Sequence, residues 1–332
     1  MPITVVGSIA YDTVKTPFGE RERMLGGAAV HFALAASFFD EVRVVGPVGD
    51  DFGEHELAVM EARGVDVSDI ERVSGGRTFF WHGEYGWDLN SRETLDTQLG
   101  VFEGFAPKLS ERSRSSEVLF LANIQPDLQR EVRAQLPDAR FVALDSMNLW
   151  IDVARESLVS AIEGVDCVIL NDAELRQLTG RPNLVSAARE VLSWGSSEEA
   201  ARGERSGERA AGAGRGPSVI VAKQGEYGAA LITRESFFAL PAYPLETVID
   251  PTGAGDTFAG GLVGYIAAHP HEQLSDALLR RAMAHATVLA SFNVEEFGTE
   301  RVQRLTGREI VARISELHAM TQFSGAPLAL LG

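Results

Sequence analysis

The sequence predicts an α/β fold with a mostly parallel central sheet, and three observations carry that expectation. Short apolar runs rich in β-branched residues recur along the 332-residue chain, most are followed by a stretch with helical spacing, and most end in a polar residue. Strands that are apolar throughout, with helices between them, belong to a parallel sheet covered on both faces. In such sheets ligands bind at the carboxyl ends of the strands.

The elements follow in order. "ITVVG" is a strand, and Gly27 to Phe39 is a helix with Phe32, Ala35, Ala36 and Phe39 on one face. "EVRVVGPVG" is the next strand, followed by a helix from about Phe52 to Arg63. "EVLFLAN", "RFVALD", "DCVILN" and "SVIVAK" are further buried strands whose polar ends, Asn123, Asp145, Asn171 and Lys223, fall along one edge of the sheet.

Two segments break the rhythm. "RTFFWHGEYGWD", Arg77 to Asp88, is aromatic and partly alternating, and reads as a small antiparallel flap paired with residues near Thr13 to Leu25. The pattern suits a surface hairpin and a substrate lid equally. The lid segments would be about 13–25 and 73–100, within one domain spanning 1–332. Gly195 to Pro217 is poor in apolar residues and rich in Gly, Ser, Glu and Arg, and is expected to be a disordered insertion.

Composition excludes several classes. A net charge of −17 opposes association with nucleic acid or an anionic membrane surface. It does not oppose a phosphate ligand, because a local cradle of backbone N–H groups can outweigh the global field. The single cysteine, Cys167, excludes an intrachain disulfide and reads as a buried strand residue. The start "MPITVVGSIA" has no basic n-region and no window approaches a membrane span, so the expected location is cytoplasmic.

The stretch that carries chemistry is "VIDPTGAGDTFAGGLVGYIA", Val248 to Ala267. Phe258, Leu262, Tyr265 and Ile266 recur at helical spacing after the turn "DPTGAGD". Gly253 and Gly255 let backbone N–H groups converge at the positive end of the helix dipole, which makes an anion cradle. Asp256 beside it could be an ordinary cap. A carboxylate next to an anion hole is also what phosphoryl transfer to an alcohol needs, since it can take the hydroxyl proton. The sequence has no Gly-Lys pair and hence no P-loop, and "GSIAYD" after the first strand is not a dinucleotide fingerprint.

"DPTGAGDTFAGG" closely resembles the C-terminal signature of the ribokinase-like (PfkB) carbohydrate kinases. "GSIAYD", "GGAAVHFALAAS", "NDAEL" and "AKQGEYGA" fall in that family's order, so the resemblance spans nearly the whole chain. It implies a three-layer α/β/α sandwich with a mostly parallel sheet and a small β lid over the sugar site. It also implies an ATP-dependent kinase acting on a sugar or sugar-like alcohol, with Mg²⁺ as cofactor. Asp256 would be the catalytic base, and Gly253, Ala254 and Gly255 the anion hole. Asp12, Gly26 and Gly27 would bind substrate hydroxyls. Asn171 and Glu174 match the family's N-x-x-E motif, which organises magnesium through water near the phosphates. Lys223, Gly225 and Gly228 match the nucleotide-contacting strand and turn, and His285 lies near the place of the base. Asp250 and Thr252 match positions that bind a monovalent cation such as K⁺ in many members.

The chain departs from the pattern at His31, which stands where the family commonly has an Asn contacting a sugar hydroxyl. His31 is read equally as a substrate contact and as packing under the lid. The lid offers Trp81, His82, Glu84, Tyr85, Trp87, Asp88, Asn90 and Arg92. Their rings could stack on a sugar or a nucleobase, so a pentose, hexose, cyclitol or nucleoside are all candidate acceptors. Arg92 and Arg77 could recognise a substrate phosphate or simply form surface ion pairs. A nucleoside kinase is the alternative within catalysis, and a non-catalytic sugar sensor the alternative outside it. An exposed aromatic lid would also suit a homodimer interface, as in some relatives.

Overall fold

Apolar residues that alternate between the two faces of each strand set the architecture of the computed structural model, which describes residues 1–195 and 216–322. In β1 (Ile3–Val6), Ile3 and Val5 enter the core on one side and Val6 the core on the other. In β8 (Val118–Leu121), Val118 and Phe120 divide from Leu119 and Leu121 in the same way. With both faces buried, the strands have no polar stripe, which is why they read as continuous apolar runs.

The other strands of this sheet are β4 (Val42–Val48), β5 (Asp66–Arg72), β9 (Phe141–Asp145), β10 (Cys167–Asn171), β11 (Val219–Lys223), β12 (Ala229–Ile232) and β13 (Phe237–Leu240). Their order is β13-β12-β11-β10-β9-β8-β1-β4-β5. All neighbours pair in parallel except β11 with β12 and β12 with β13. Helices α1 (Ala28–Ala36), α9 (Ala254–Ala267) and α10 (Asp276–Asn293) cover one face, numbering helices over the described residues. Helices α4 (Pro126–Gln135), α6 (Arg155–Ile162), α7 (Asp172–Thr179) and α8 (Leu184–Ser193) cover the other. The result is the three-layer sandwich expected. Phe32 of α1 stacks on Phe120 of β8, ring centroids 4.1 Å apart.

A second sheet has the order β3-β2-β6-β7, from β2 (Ala10–Thr16), β3 (Gly19–Gly26), β6 (Phe79–Tyr85) and β7 (Arg92–Gln98). It consists of two antiparallel hairpins, β2–β3 and β6–β7. The strands that join them, β2 and β6, pair in parallel, which corrects the all-antiparallel flap read from the sequence. Both leave parallel strands of the main sheet, β1 and β5, at the same edge and so run the same way. Trp87, Phe18 and Leu95 of this sheet and its turns are exposed. Apart from its end residues, the Gly195–Pro217 stretch lies outside the described residues. No helix among the described residues is long and apolar enough to cross a membrane.

Candidate active site

Because β9, β10 and β11 are parallel neighbours, their last residues, Asp145, Asn171 and Lys223, meet at one edge. Asn171 and Lys223 are directly paired in register. Helix α9 brings its N-terminus to the same edge. Its N-cap, Gly253, has φ 72°, a left-handed conformation that bulky residues adopt only with strain. A Cβ there would also lie 2.2 Å from Cε1 of His31, so the loop closes directly onto the histidine ring.

Lys223 is the cation of this edge. Its ammonium lies 3.0 Å from Oδ2 of Asp145, with the two side chains 18% and 6% exposed. A Cβ on Gly255 would sit 3.0 Å from Lys223 Nζ, which places the ammonium against the first turn of α9. Burial works against its charge, but Asp145, Glu174 and Asp256 outweigh it and hold the lysine above its ordinary range. Asp256, in the first turn of α9, is raised to about 7 by burial and by Asp145, against the pull of Lys223. Glu174 is also raised to about 7, chiefly by burial, with Lys223 lowering and Asp145 raising it. One ammonium therefore serves three carboxyl groups.

Asn171 and Glu174 are placed by a capping box. The Asn171 side chain accepts from the Glu174 amide at 2.7 Å, and Glu174 Oε2 accepts from the Asn171 amide at 2.8 Å. The N-x-x-E spacing thus has a local structural cause, and it leaves the glutamate at the strand ends. Gly225 and Gly228 bound the short 3-10 turn that follows Lys223.

At the start of the second sheet, Asp12 of β2 is 7% exposed and packs against Gly26, where a Cβ would meet its Oδ2 at 2.0 Å. Burial, with Asp250 and Asp256 nearby, raises it to about 7. Gly27 caps α1, whose first amides bond to Ser8 Oγ and Ser8 O. His31 is 2% exposed. Asn293 at the end of α10 donates to Thr252 O at 2.8 Å, which turns its Oδ1 toward Thr257 and His31. His31 Nδ1–H therefore donates to that oxygen at 3.1 Å, and burial keeps the ring neutral, its pKa lowered to about 4. Nε2 is left as an acceptor with no partner among the described residues.

Asp250 is fully buried, its oxygens accepting from the amides of Thr252 (2.8 Å) and Gly298 (2.9 Å), so it pins the loop ahead of Gly253. The second sheet touches this loop through Tyr85 and the Gly225–Gly228 turn through Asn90, which donates to Glu226 at 3.3 Å. Arg92 lies opposite Tyr85 in the β6–β7 ladder and 5.3 Å over the Trp81 ring, with no carboxylate ion pair among the described residues. Its charge bears on Asp12 and Glu174.

His285 is not brought to this group. Its Nδ1–H donates to Arg281 O at 2.8 Å, and its ring stacks on Tyr265 (4.1 Å) and meets Phe39 edge-on. It lies eight residues before Asn293 on α10, about 12 Å along the axis. Reading the sequence for site residues missed Asn293 and left Asp145 as a sheet-edge residue. The signal for Asn293 is a buried amide that closes the mostly apolar run "ATVLASF" at the end of α10.

A parallel α/β sheet with a carboxylate at a glycine-rich helix start, beside a capped acid and a buried lysine, defines a phosphotransferase acting on a hydroxyl. The chain belongs to the pfkB family of carbohydrate kinases, whose model matches residues 3–304. A cytidine kinase of Thermococcus kodakarensis is 27% identical over 289 residues, covering 85% of this chain and 95% of that one. A ribokinase of Lactococcus lactis is 24% identical, covering 95% and 97%. Among solved structures, the Burkholderia thailandensis nucleoside kinase in complex with ADP-inosine superposes with a TM-score of 0.71 at 19% identity, covering 99% of this chain and all of that one.

Proposed function

We propose that the chain transfers the γ-phosphoryl group of ATP, with magnesium, to a hydroxyl of a sugar or sugar-like alcohol. The observation that carries this is the place of Asp256, a carboxyl in the glycine-rich first turn of α9 beside the Lys223 ammonium, where burial raises it to about 7. A base of that pKa accepts the acceptor's proton near neutral pH. The acceptor oxygen forms a bond to the γ-phosphorus, and the bond from phosphorus to the β,γ-bridging oxygen breaks with its electron pair staying on ADP. The proton goes to Asp256. The first-turn amides of Gly255 and Asp256 would face the charge that develops on the transferring group, while the Ala254 amide donates to Pro251 O at 3.2 Å and shapes the turn.

Asp12 and the Gly26–Gly27 turn hold the acceptor's other hydroxyls, and His31 Nε2 offers an acceptor beside them. The strand and turn from Lys223 to Gly228 hold the nucleotide. Magnesium fits on charge, since Asp145, Glu174 and Asp256 share one ammonium. Among the described residues no three His, Cys, Asp or Glu side chains gather into a direct ligand set, so Asn171 and Glu174 would hold the ion through water. Bound there it would screen the phosphate charge. Asp250 and Thr252 are where potassium would act.

A nucleoside acceptor is the second reading, supported by the cytidine kinase relative and by the aromatic strand that carries Trp81 and Tyr85. We place the protein in the cytoplasm on its single, buried, free Cys167. The exposed lid residues support a homodimer, which sedimentation would test. The functional test is ADP release from ATP and magnesium, with and without potassium, across pentoses, hexoses, cyclitols and nucleosides. A strong response to free sugars supports the first reading and to nucleosides alone the second. Silence from folded protein that binds ATP overturns both.

A further inference from the structure

We propose that Lys223 binds the transferring phosphoryl group itself, as a side-chain cation in the wall of the anion hole, and that Asp145 is the residue that positions it. The inference rests on the kinase reading above and adds a role to Lys223 beyond the nucleotide strand.

The geometry has three parts. Lys223 is the last residue of β11, and its ammonium reaches past its own strand end to the first turn of α9, where Gly255 leaves room for it. A methyl on Gly255 would come within 3.0 Å of Nζ, so the ammonium stands beside the amides that face the phosphoryl group. A buried lysine needs a counter-charge, and Asp145 at the end of β9, two strands away, supplies it at 3.0 Å. Asp145 is in turn fixed, its Oδ1 accepting from the Ser146 amide at 2.8 Å. Gln129 Nε2 donates to the backbone carbonyl of the same residue at 2.9 Å.

The chain spends very little lysine. Lys15, Lys108 and Lys223 are its only three, against 27 arginines. Lys15 pairs with Glu84 on the lid surface with both side chains over 40% exposed, whereas Lys223 is largely buried among carboxyl groups. An ammonium is a compact point charge with three donors, so it can keep its bond to Asp145 and still donate to an oxygen arriving at the amides. With Asp145 removed, the ammonium remains charged and present but is no longer held against α9.

The experiment uses the full chain with its best acceptor from the panel, so that failure of the kinase reading shows first as an inactive wild type. Lys223→Met, Asp145→Asn and the double variant are compared by steady-state kinetics, with thermal melting to confirm folding. Lys223→Met is expected to lower kcat about 100-fold, the loss typical of a donor to a developing anion, with the acceptor KM changed less than about 3-fold. Asp145→Asn is expected to lower kcat about 10-fold in the wild type and less than about 2-fold in the Lys223→Met background, because it acts through the lysine. The double variant removes both charges together and so avoids leaving one buried and unpaired. A Lys223→Met enzyme that keeps kcat and loses only ATP affinity would return the lysine to nucleotide binding and overturn the proposal. Equal losses from Asp145→Asn in both backgrounds would make that residue structural and overturn its positioning role.

Discussion

Thr252 Oγ1 donates to the Tyr85 hydroxyl at 3.2 Å, and this bond ties the small sheet to the loop that opens α9. Tyr85 is buried with Val14 and Phe297, and Trp81, Met24 and Ile249 pack around them. The small sheet and the loop that opens α9 therefore share one apolar cluster and one polar contact. Tyr85→Phe keeps the packing and removes the contact. A neutral hydrogen bond contributes about 0.5–1.5 kcal/mol, so the acceptor KM should rise roughly 2- to 10-fold while kcat moves less. Initial rates at varied acceptor concentration would measure it, and an unchanged KM would separate the lid from the loop in function.

Asp256→Asn keeps size and shape and removes the base. Turnover should fall about 10²- to 10⁴-fold, the range for loss of a positioned general base. ATP binding, followed by calorimetry, should persist, because the amides of the α9 turn and the Lys223–Gly228 segment remain. A variant that still turns over at wild-type rate would take Asp256 out of the chemistry.

The layers and the strand order's edge were legible because a strand buried on both faces has no polar stripe, as in Val118 to Leu121 and Val219 to Lys223. The helix start that carries Asp256 was legible from the glycines at its N-cap and second position, Gly253 and Gly255. What pattern does not carry is distance. Asp145 and Lys223 are 78 residues apart and meet only because β9, β10 and β11 lie side by side. Asn293 was hidden for the same reason, since its partners His31, Thr252 and Thr257 come from two other helices and a loop. The Asn171–Glu174 pair shows the reverse case, in which a site motif is also a complete local capping box. His285 sits apart from this group, its ring turned to Tyr265 and Phe39.

Gly253→Ala tests the loop geometry. The position has φ 72°, and the added methyl would fall 2.2 Å from the His31 ring, which is itself enclosed. Backbone strain of this kind costs on the order of 1–3 kcal/mol, before the clash is counted. The variant should melt at least several degrees lower and lose activity, because the amides that follow Gly253 would be re-aimed. Circular dichroism melts alongside ADP release would check both, and a variant that melts like wild type would show that the loop tolerates a side chain there.

The last prediction concerns pH. Asp12, Glu174 and Asp256 are each raised to about 7 by burial among like charges, from ordinary values of 3.8 for Asp and 4.5 for Glu. Between those limits the folded protein holds protons that the unfolded chain has released, so unfolding becomes easier as pH rises. The stability these groups give is fully present below about 4 and is lost as pH climbs through about 7. Asp256→Asn cannot ionise and escapes that loss. Its melting temperature should therefore exceed that of the wild type by a margin that grows from pH 5 to pH 8, reaching about 2 °C or more in buffer without nucleotide or divalent ions. The rate should follow the opposite course, since the base works only when deprotonated: wild-type kcat/KM rises through about pH 7 and levels above it. A margin that is the same at both pH values would mean that Asp256 ionises in the ordinary carboxyl range, and the rate limb would then fall near pH 4 as well.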